Sequence, residues 1–539
     1  MSRRLASGLA GAAALVAVAT LLSRVVGFGR SFVFATTVGS NCLGSAYNTA
    51  NQLPNVVFEV VAGGALASVV VPLLARPFAD RDSAEAGRIA SALLTWTLAV
   101  LVPVTAVALL LAEPLVSVLV GDAGGAASGT QCDRDEAVRT ATGMLQVFLP
   151  QIPLYGVAVV CGGVLQAQRR FLAPAVAPLA SSAVVVFAYL WFGEAYDGDP
   201  WDLSSVPRGP ELILTVGTTA GVVALAAATV LPLLRSGIPV RPSFRFPPGV
   251  ARQARGLALA GLAALVAQQA STLVVIRLAN DRVGGGGLPL YGYAWAVFLL
   301  PYAVLAVPLA TSAFPTLSRH AQSGQLSEYA AVSAVTTRAV LLAGGLGAAL
   351  LAATAGPVSQ VFSSGEDDAP AVWLARALVA FAPGLLGYGL VAHLGRALYA
   401  AGSGRAAATA TVLGWALVLV ADLALVALVD RGWAVAALGL GNTLGMTIAG
   451  VLLLAAVRTA AGPAALSGVA RAGAAAVLAG TGGAVVGGGL AHLLDAAGRP
   501  AGAASAVASG AAAAAAYTAV VLLADRAGAL QMTRGLRRG

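Results

Sequence analysis

The sequence predicts an all-α polytopic membrane protein of about 14 transmembrane helices. Two parallel six-helix bundles surround a central cavity, and two C-terminal helices follow. Three observations carry this reading. The 539 residues are 58% hydrophobic and 10% charged, with mean hydropathy +0.84, a balance far from that of a soluble domain. Apolar runs of about 20 residues recur along the whole chain, each long enough to cross a ~30 Å hydrocarbon core as a helix. Two stretches of the first half also return in the second.

Taken in order, spans are expected near residues 6–36, 43–74, 89–112, 138–164, 172–193, 211–233, 256–280, 288–317, 332–357, 371–400, 406–429, 432–456, 468–494 and 504–525. The opening MSRRLASGLAGAAALVAVA has the basic start and apolar run of a signal peptide, but the apolar pattern continues through Arg24 and Arg30 without a cleavage point, so it reads as the first helix. No lysine occurs, and the arginines set the orientation. With the N-terminus inside, the inner segments hold 20 arginines and the outer ones 6. The outer loops are acidic, as at Glu194, Asp197, Asp199 and Asp202. Both termini are therefore expected in the cytoplasm of a bacterium, with the chain multi-pass in its cytoplasmic (inner) membrane.

The duplication fixes the domain plan. QLPNVVFEVV (52–61) matches LLPYAVLAVP (299–308), aligning Pro54 with Pro301, and the same offset carries Arg30 onto Arg277. LPQIPLYGVAVVCGGVLQAQ (149–168) matches APGLLGYGLVAHLGRALYAA (382–401), pairing Pro150 with Pro383 and Tyr155 with Tyr388. Corresponding helices lie an even number of spans apart, so the halves share one orientation and a cleft between them. The expected parts are a bundle over 1–235, a basic cytoplasmic linker over 236–255, a second bundle over 256–457, two added helices over 458–525 and a basic tail over 526–539.

Two spans carry polar faces. On a helical wheel Ser23, Arg24, Gly27, Arg30 and Ser31 share one arc, and the second span repeats the design with Ser45, Asn48, Gln52, Asn55, Glu59 and Gly63 as one stripe. An arginine at membrane depth costs about 2.5–3.5 kcal/mol or more, so it should face the bundle interior or a wet cavity. The competing reading is a structural Arg24–Glu59 pair. Three arginines against one carboxylate leave positive charge over, which wants an anion, and guanidinium offers phosphate two parallel bonds. The expected substrate-binding set is Arg24, Arg30, Arg277, Ser23, Asn48, Gln52, Asn55 and Glu59.

SRVVGFGRSFVFATTVG followed by SAYNTANQLPNVVFEVVAGGALASVVVPLLAR, with FPTLSRHAQSG at 314–324, resembles the MurJ/MviN family, the lipid II flippases of the multidrug/oligosaccharidyl-lipid/polysaccharide exporter superfamily. The resemblance implies a flippase that carries a lipid-linked peptidoglycan precursor from the inner to the outer leaflet by alternating access, with Arg24 and Arg30 on the pyrophosphate. Its partners would be an undecaprenyl-diphosphate oligosaccharide and membrane lipids, with no nucleic acid. Family members usually carry charges where Ser31, Ser45, Phe58, Gly63 and Ala296 stand here. Asp422 resembles the cation-site aspartate of sodium-coupled members, and its other reading is a packing hydrogen bond to Asn442. Two further functions compete: export of another polyprenyl-linked glycan, or a non-transporting scaffold derived from a flippase.

No nucleophile–base or metal constellation points to an enzyme, and neither a metal nor a cofactor is expected; a coupling cation or the membrane potential would supply the drive. His393 reads as a packing residue. Gly284–Gly287 reads as an outer loop, and Cys42, Cys132 and Cys161, without disulfide or metal spacing, read as small apolar residues.

Overall fold

A computed structural model describes residues 22–23, 25–61, 67–80, 82–121, 132–247, 250–362, 369–496 and 502–524. Among these residues the protein is helical without a strand. Eleven helices are long and apolar enough to cross a membrane, or twelve when the bent pair Ala369–Phe381 and Gly384–Ala400 counts as one span. Parts of the first two expected spans, including Arg24, lie outside the described residues. The protein is a multi-pass membrane protein. It folds as two compact units, Met1–Pro289 and Leu290–Gly539.

In the first unit α1 covers 25–37. It is followed by α2 (Cys42–Phe58), α3 (Ala67–Ala79), α4 (Ser83–Leu110), α5 (Ala112–Val120), α6 (Arg134–Phe148), α7 (Gln151–Ala167), α8 (Leu172–Ala195), α9 (Arg208–Leu234) and α10 (Val250–Leu278). The core of α3, α4 and α7 centres on Val70, Leu74, Ile89, Val160 and Val164, held by close van der Waals packing. Gly217 and Gly221 let α9 close on α8, since a side chain at either would collide with Ala188 or Val185. The entry to α2 is set locally. Asn41 accepts from the Gly44 N–H at 2.9 Å and donates to Val38 O at 2.6 Å, and Gly39 takes φ +85°. Pro54 lies inside α2, and the helix opens into a π turn at 59–61.

The cysteine expectation is corrected here. Cys42 and Cys132 form a disulfide that ties the start of α2 to the residues preceding α6, while only Cys161 is a free, buried thiol among the described cysteines. Two isolated cysteines in a long chain carry no spacing signal, and the turn at Gly39–Asn41 is what aims Cys42 at its partner.

The connection after α9 is a strap laid along α4. Arg241 and Ser243 donate their N–H groups to Ser91 Oγ and Thr95 Oγ1, both at 2.9 Å, and Trp96 Nε1 donates to Phe244 O at 3.0 Å. Gly87 admits the close pass of Pro239.

The second unit takes in most of α11 (Gly287–Pro301), then α12 (Val307–Gln322), α13 (Leu326–Ala353), α14 (Ala355–Val361), α15 (Ala369–Phe381), α16 (Gly384–Ala400), α17 (Gly404–Leu428), α18 (Ala434–Ala461), α19 (Val469–Ala496) and α20 (Ala503–Ala524). Here too the helix opens into a π turn, Tyr302–Ala306, directly after the proline that matches Pro54. The last two helices pack on α13. Tyr517 donates to Leu342 O at 2.6 Å, and Gly345 meets Ala476 too closely for any side chain.

Candidate functional site

The polar stripe of α2 divides into two stretches with different work. At the Cys42 end Ser45 is buried and its Oγ accepts the Gly286 N–H at 2.8 Å, and buried Thr49 bonds Asn280 Nδ2 at 2.8 Å. These contacts tie α2 to the turn after α10. Asn48 spends its amide on Gly44 O at 2.9 Å, one turn back.

Towards the π turn the stripe is open. Gln52 and Asn55 are half-buried and Glu59 is exposed. Tyr155 of α7 donates to Asn55 Oδ1 at 3.2 Å and lies against Phe58, ring centroids 4.4 Å apart. Arg30 of α1 and Glu59 both lie within electrostatic reach of the Tyr155 hydroxyl. Arg30 also acts on Tyr47 and Tyr189, which form a buried hydroxyl relay with Thr218. Tyr47 meets Tyr189 at 2.8 Å and Thr218 at 2.7 Å, and Thr218 donates to Leu214 O. Because the Thr218 proton goes to Leu214, Tyr47 donates to Thr218 and accepts from Tyr189. Phe34 packs on both tyrosine rings at 5.2 Å, so the neutral wall beside Arg30 is rigid.

Ser23, just before α1, donates to Ala175 O of α8 at 3.3 Å. Arg24 falls outside the described residues. Arg277 is built into a different neighbourhood from Arg30. It donates to Val118 O at 3.0 Å and pairs with Asp281 at 3.9 Å, while Asn280 reaches Leu119 O and Arg134 reaches Gly121 O. Together they cap the carboxyl-terminal carbonyls of α5, where the helix dipole favours positive charge.

In the second unit Asp422 of α17 is fully buried against α18, where any side chain at Gly441 would collide with its carboxylate. Asn442 is buried beside it, and the side-chain oxygens of Asp422 and both polar atoms of Asn442 have no hydrogen-bond partner among the described residues. The packing hydrogen bond between the two is thus not formed. A buried carboxylate without donors calls for a proton or a cation. His393, also fully buried, sits in the core against the backbone of Ser333.

Sequence reasoning passed over Tyr47, Tyr155, Tyr189 and Thr218. Tyr155 carried a usable signal, since the repeat pairs it with Tyr388. Tyr189 sits in an evenly apolar span and carried none.

Comparison with known proteins decides the family. A family model described as "Lipid II flippase MurJ" matches residues 34–499. The chain belongs to the MurJ family. The lipid II flippase MurJ of Burkholderia cenocepacia is 28% identical over 71% of this chain and 71% of its own length. The probable lipid II flippase MurJ of Rhizobium meliloti is 30% identical over 59% of this chain and 56% of its own. A solved structure of lipid II flippase MurJ in an inward closed conformation shares the fold, with TM-score 0.73 at 17% identity over 95% of this chain and 99% of that one.

Proposed function

We propose that this protein flips lipid II from the inner to the outer leaflet of the cytoplasmic membrane by alternating access. The MurJ family match over 34–499 supports the reading. The observation that carries it at the level of residues is Arg30, an exposed cation on the apolar helix α1 within electrostatic reach of Tyr155, which bonds Asn55, and near Glu59. Such a wall offers an anionic head one charge-assisted partner and several neutral ones. Arg24 and Arg30 hold the diphosphate, and Ser23, Asn48, Gln52, Asn55 and Glu59 line its path. Arg277 joins them when the α5 carbonyls and Asp281 release it.

Both termini face the cytoplasm, by the arginine distribution. The disulfide fits this orientation, because Cys42 and Cys132 then lie on the outer, oxidising side. Asp422 takes the coupling cation, and the membrane potential, at about 2.3 kcal/mol per charge per 100 mV, returns the cationic site inward.

One observation favours export of a different polyprenyl-linked glycan. Phe58, where family members usually carry arginine, packs in a tilted contact against Tyr155, so the wall here is less charged. Both readings are tested by expressing the chain in a host whose own lipid II flippase is depleted. Growth with externally accessible lipid II supports the first. Failure to grow despite correct insertion points to the second.

A further inference from the structure

We infer that the second unit holds, between α15 and α19, a headgroup site for a membrane phospholipid whose phosphate is joined to a primary ammonium. The inference goes beyond the flippase reading and does not rest on it.

A cavity of about 420 Å³ opens among α13, α14, α15 and α19, within the roughly 300–1,000 Å³ of pockets that take small molecules. Small residues such as Ala352, Ala375 and Ala491 make up much of its wall, and its polar lining is Gln360, Arg376, Trp433, His492 and Asp495. Two lining glycines, Gly356 and Gly488, have nothing within 4 Å of where a Cβ would stand. Helix packing therefore does not demand glycine at either, and a side chain there would take up the free space.

The cavity carries one charge of each sign, on different helices. The Arg376 guanidinium lies over the Trp433 ring at 4.3 Å and donates one N–H to Gly432 O at 3.2 Å, and its fork has further donors for an oxyanion. Asp495 stands in the last turn of α19, where the free carbonyls already form a negative pole and no basic residue offsets it. A carboxylate at that pole calls for a cation. An anion site on α15 and a cation site on α19, facing one space, are complementary to a zwitterion.

The surroundings decide between a dissolved zwitterion and a lipid. On α15 the exposed Val372 and Val379 flank Arg376, and on α19 the exposed Val485, Val486 and Leu493 flank Gly488 and His492. Such side chains face hydrocarbon in a chain that crosses a membrane, and Trp433, half exposed, is of the residue type that sits at headgroup level. A phosphoethanolamine head fits, with its phosphate on Arg376, its ammonium at Asp495 and the α19 carbonyls, and its chains leaving past Val379. A diphosphate ester has no ammonium, and Asp495 opposes it, so the site selects against the lipid assigned above to Arg30.

The test measures the lipid retained by the full-length protein in detergent micelles supplied with dioleoyl phosphatidylethanolamine or dioleoyl phosphatidylglycerol, which share phosphate and chains. The unmodified protein should retain the ethanolamine lipid about fivefold more strongly, the upper range for an exposed ion pair. Asp495→Asn should bring the two within about twofold, and Gly488→Leu, which fills the cavity, should do the same by weakening the ethanolamine lipid, neither with a fall in melting temperature. Neither farnesyl diphosphate nor water-soluble glycerophosphoethanolamine should displace the lipid at equal concentration. Independently of any variant, a phosphatidylethanolamine with a diazirine near the start of its chain should label peptides of α15 or α19. Equal retention of the two lipids by the unmodified protein, a preference that survives both variants, or labelling confined to other helices overturns the site. Displacement by farnesyl diphosphate would give the cavity to a diphosphate lipid and displacement by glycerophosphoethanolamine to a dissolved ligand, and either overturns the inference. Lipid II export decides the flippase reading separately.

Discussion

Two helices that align in the sequence repeat present different side chains. In the first unit α2 presents Asn48, Asn51 and Asn55, and at the same repeat positions the second unit presents Trp295 and Phe298 of α11 and Tyr302 of the π turn that follows it. The partner helix keeps its tyrosine in both cases. Tyr155 donates a hydrogen bond to Asn55, whereas Tyr388 is packed by Tyr302 at 4.7 Å, Phe298 at 5.6 Å and Trp295 at 6.0 Å. Backbone logic is conserved, with a proline and then a π turn in each, while amides have been exchanged for rings. One half therefore gained a hydrogen-bonding wall beside Arg30. Its counterpart has a half-buried aromatic cluster, with its buried carboxylate, Asp422, on a separate pair of helices.

The comparison breaks first at Arg30. Arg30→Ala should lower lipid II export by about tenfold or more, the worth of a lost charge-assisted bond, with normal insertion. Arg30→Lys should recover part of it as a point charge. Arg277→Ala should cost less if its main task is capping α5, so equal losses at the two positions would mean that both arginines hold the substrate at once.

Exchanging the walls comes next. Asn55→Tyr gives the first unit the ring of the second, removes the Tyr155 hydrogen bond and overpacks the site at a cost of about 1–3 kcal/mol, so export should fall. The reciprocal Tyr302→Asn should act on stability instead, lowering the melting temperature through lost aromatic packing. Export that depends on Tyr302 as strongly as on Asn55 would show that the aromatic half also touches substrate.

At Asp422 the expected signature is a split. Asp422→Asn should leave the melting temperature unchanged or raised, because the carboxylate gives up no hydrogen bond, while export loses its dependence on the coupling cation. A large fall in stability with cation dependence intact would assign Asp422 to packing.

The smallest effect on export belongs to the disulfide. Cys42→Ser removes a crosslink spanning 90 residues, worth about 2–4 kcal/mol of stability, and should leave export nearly intact. Maleimide added from outside should modify Cys132 only after reduction. Labelling of the unreduced protein at Cys132 would contradict the crosslink.

Helix content, the spans from Ser83 onward that meet the test of length and hydropathy, and the family were readable in the sequence, because lipid solvation imposes length and hydropathy on every span. Sequence reading did not reach what depends on where side chains meet across helices. A helical wheel put Ser45 and Glu59 on one face of α2, but only the turn after α10 reveals that Ser45 is buried and spent on Gly286 while Glu59 is exposed. Likewise the Arg30–Arg277 match in the repeat suggested equal roles, and the nearness of Val118 O and Asp281 sets them apart. The cavity beside Arg376 needed the packing of four helices to appear.

The central claim is that the polar wall around Arg30 carries the head of lipid II across the membrane. Its most direct test is the externally accessible fraction of lipid II in cells depleted of their own flippase and expressing either this protein or its Arg30→Ala variant at equal abundance. Restoration of the accessible fraction by the unmodified protein and its loss in the variant is the predicted result; equal restoration by both would contradict it.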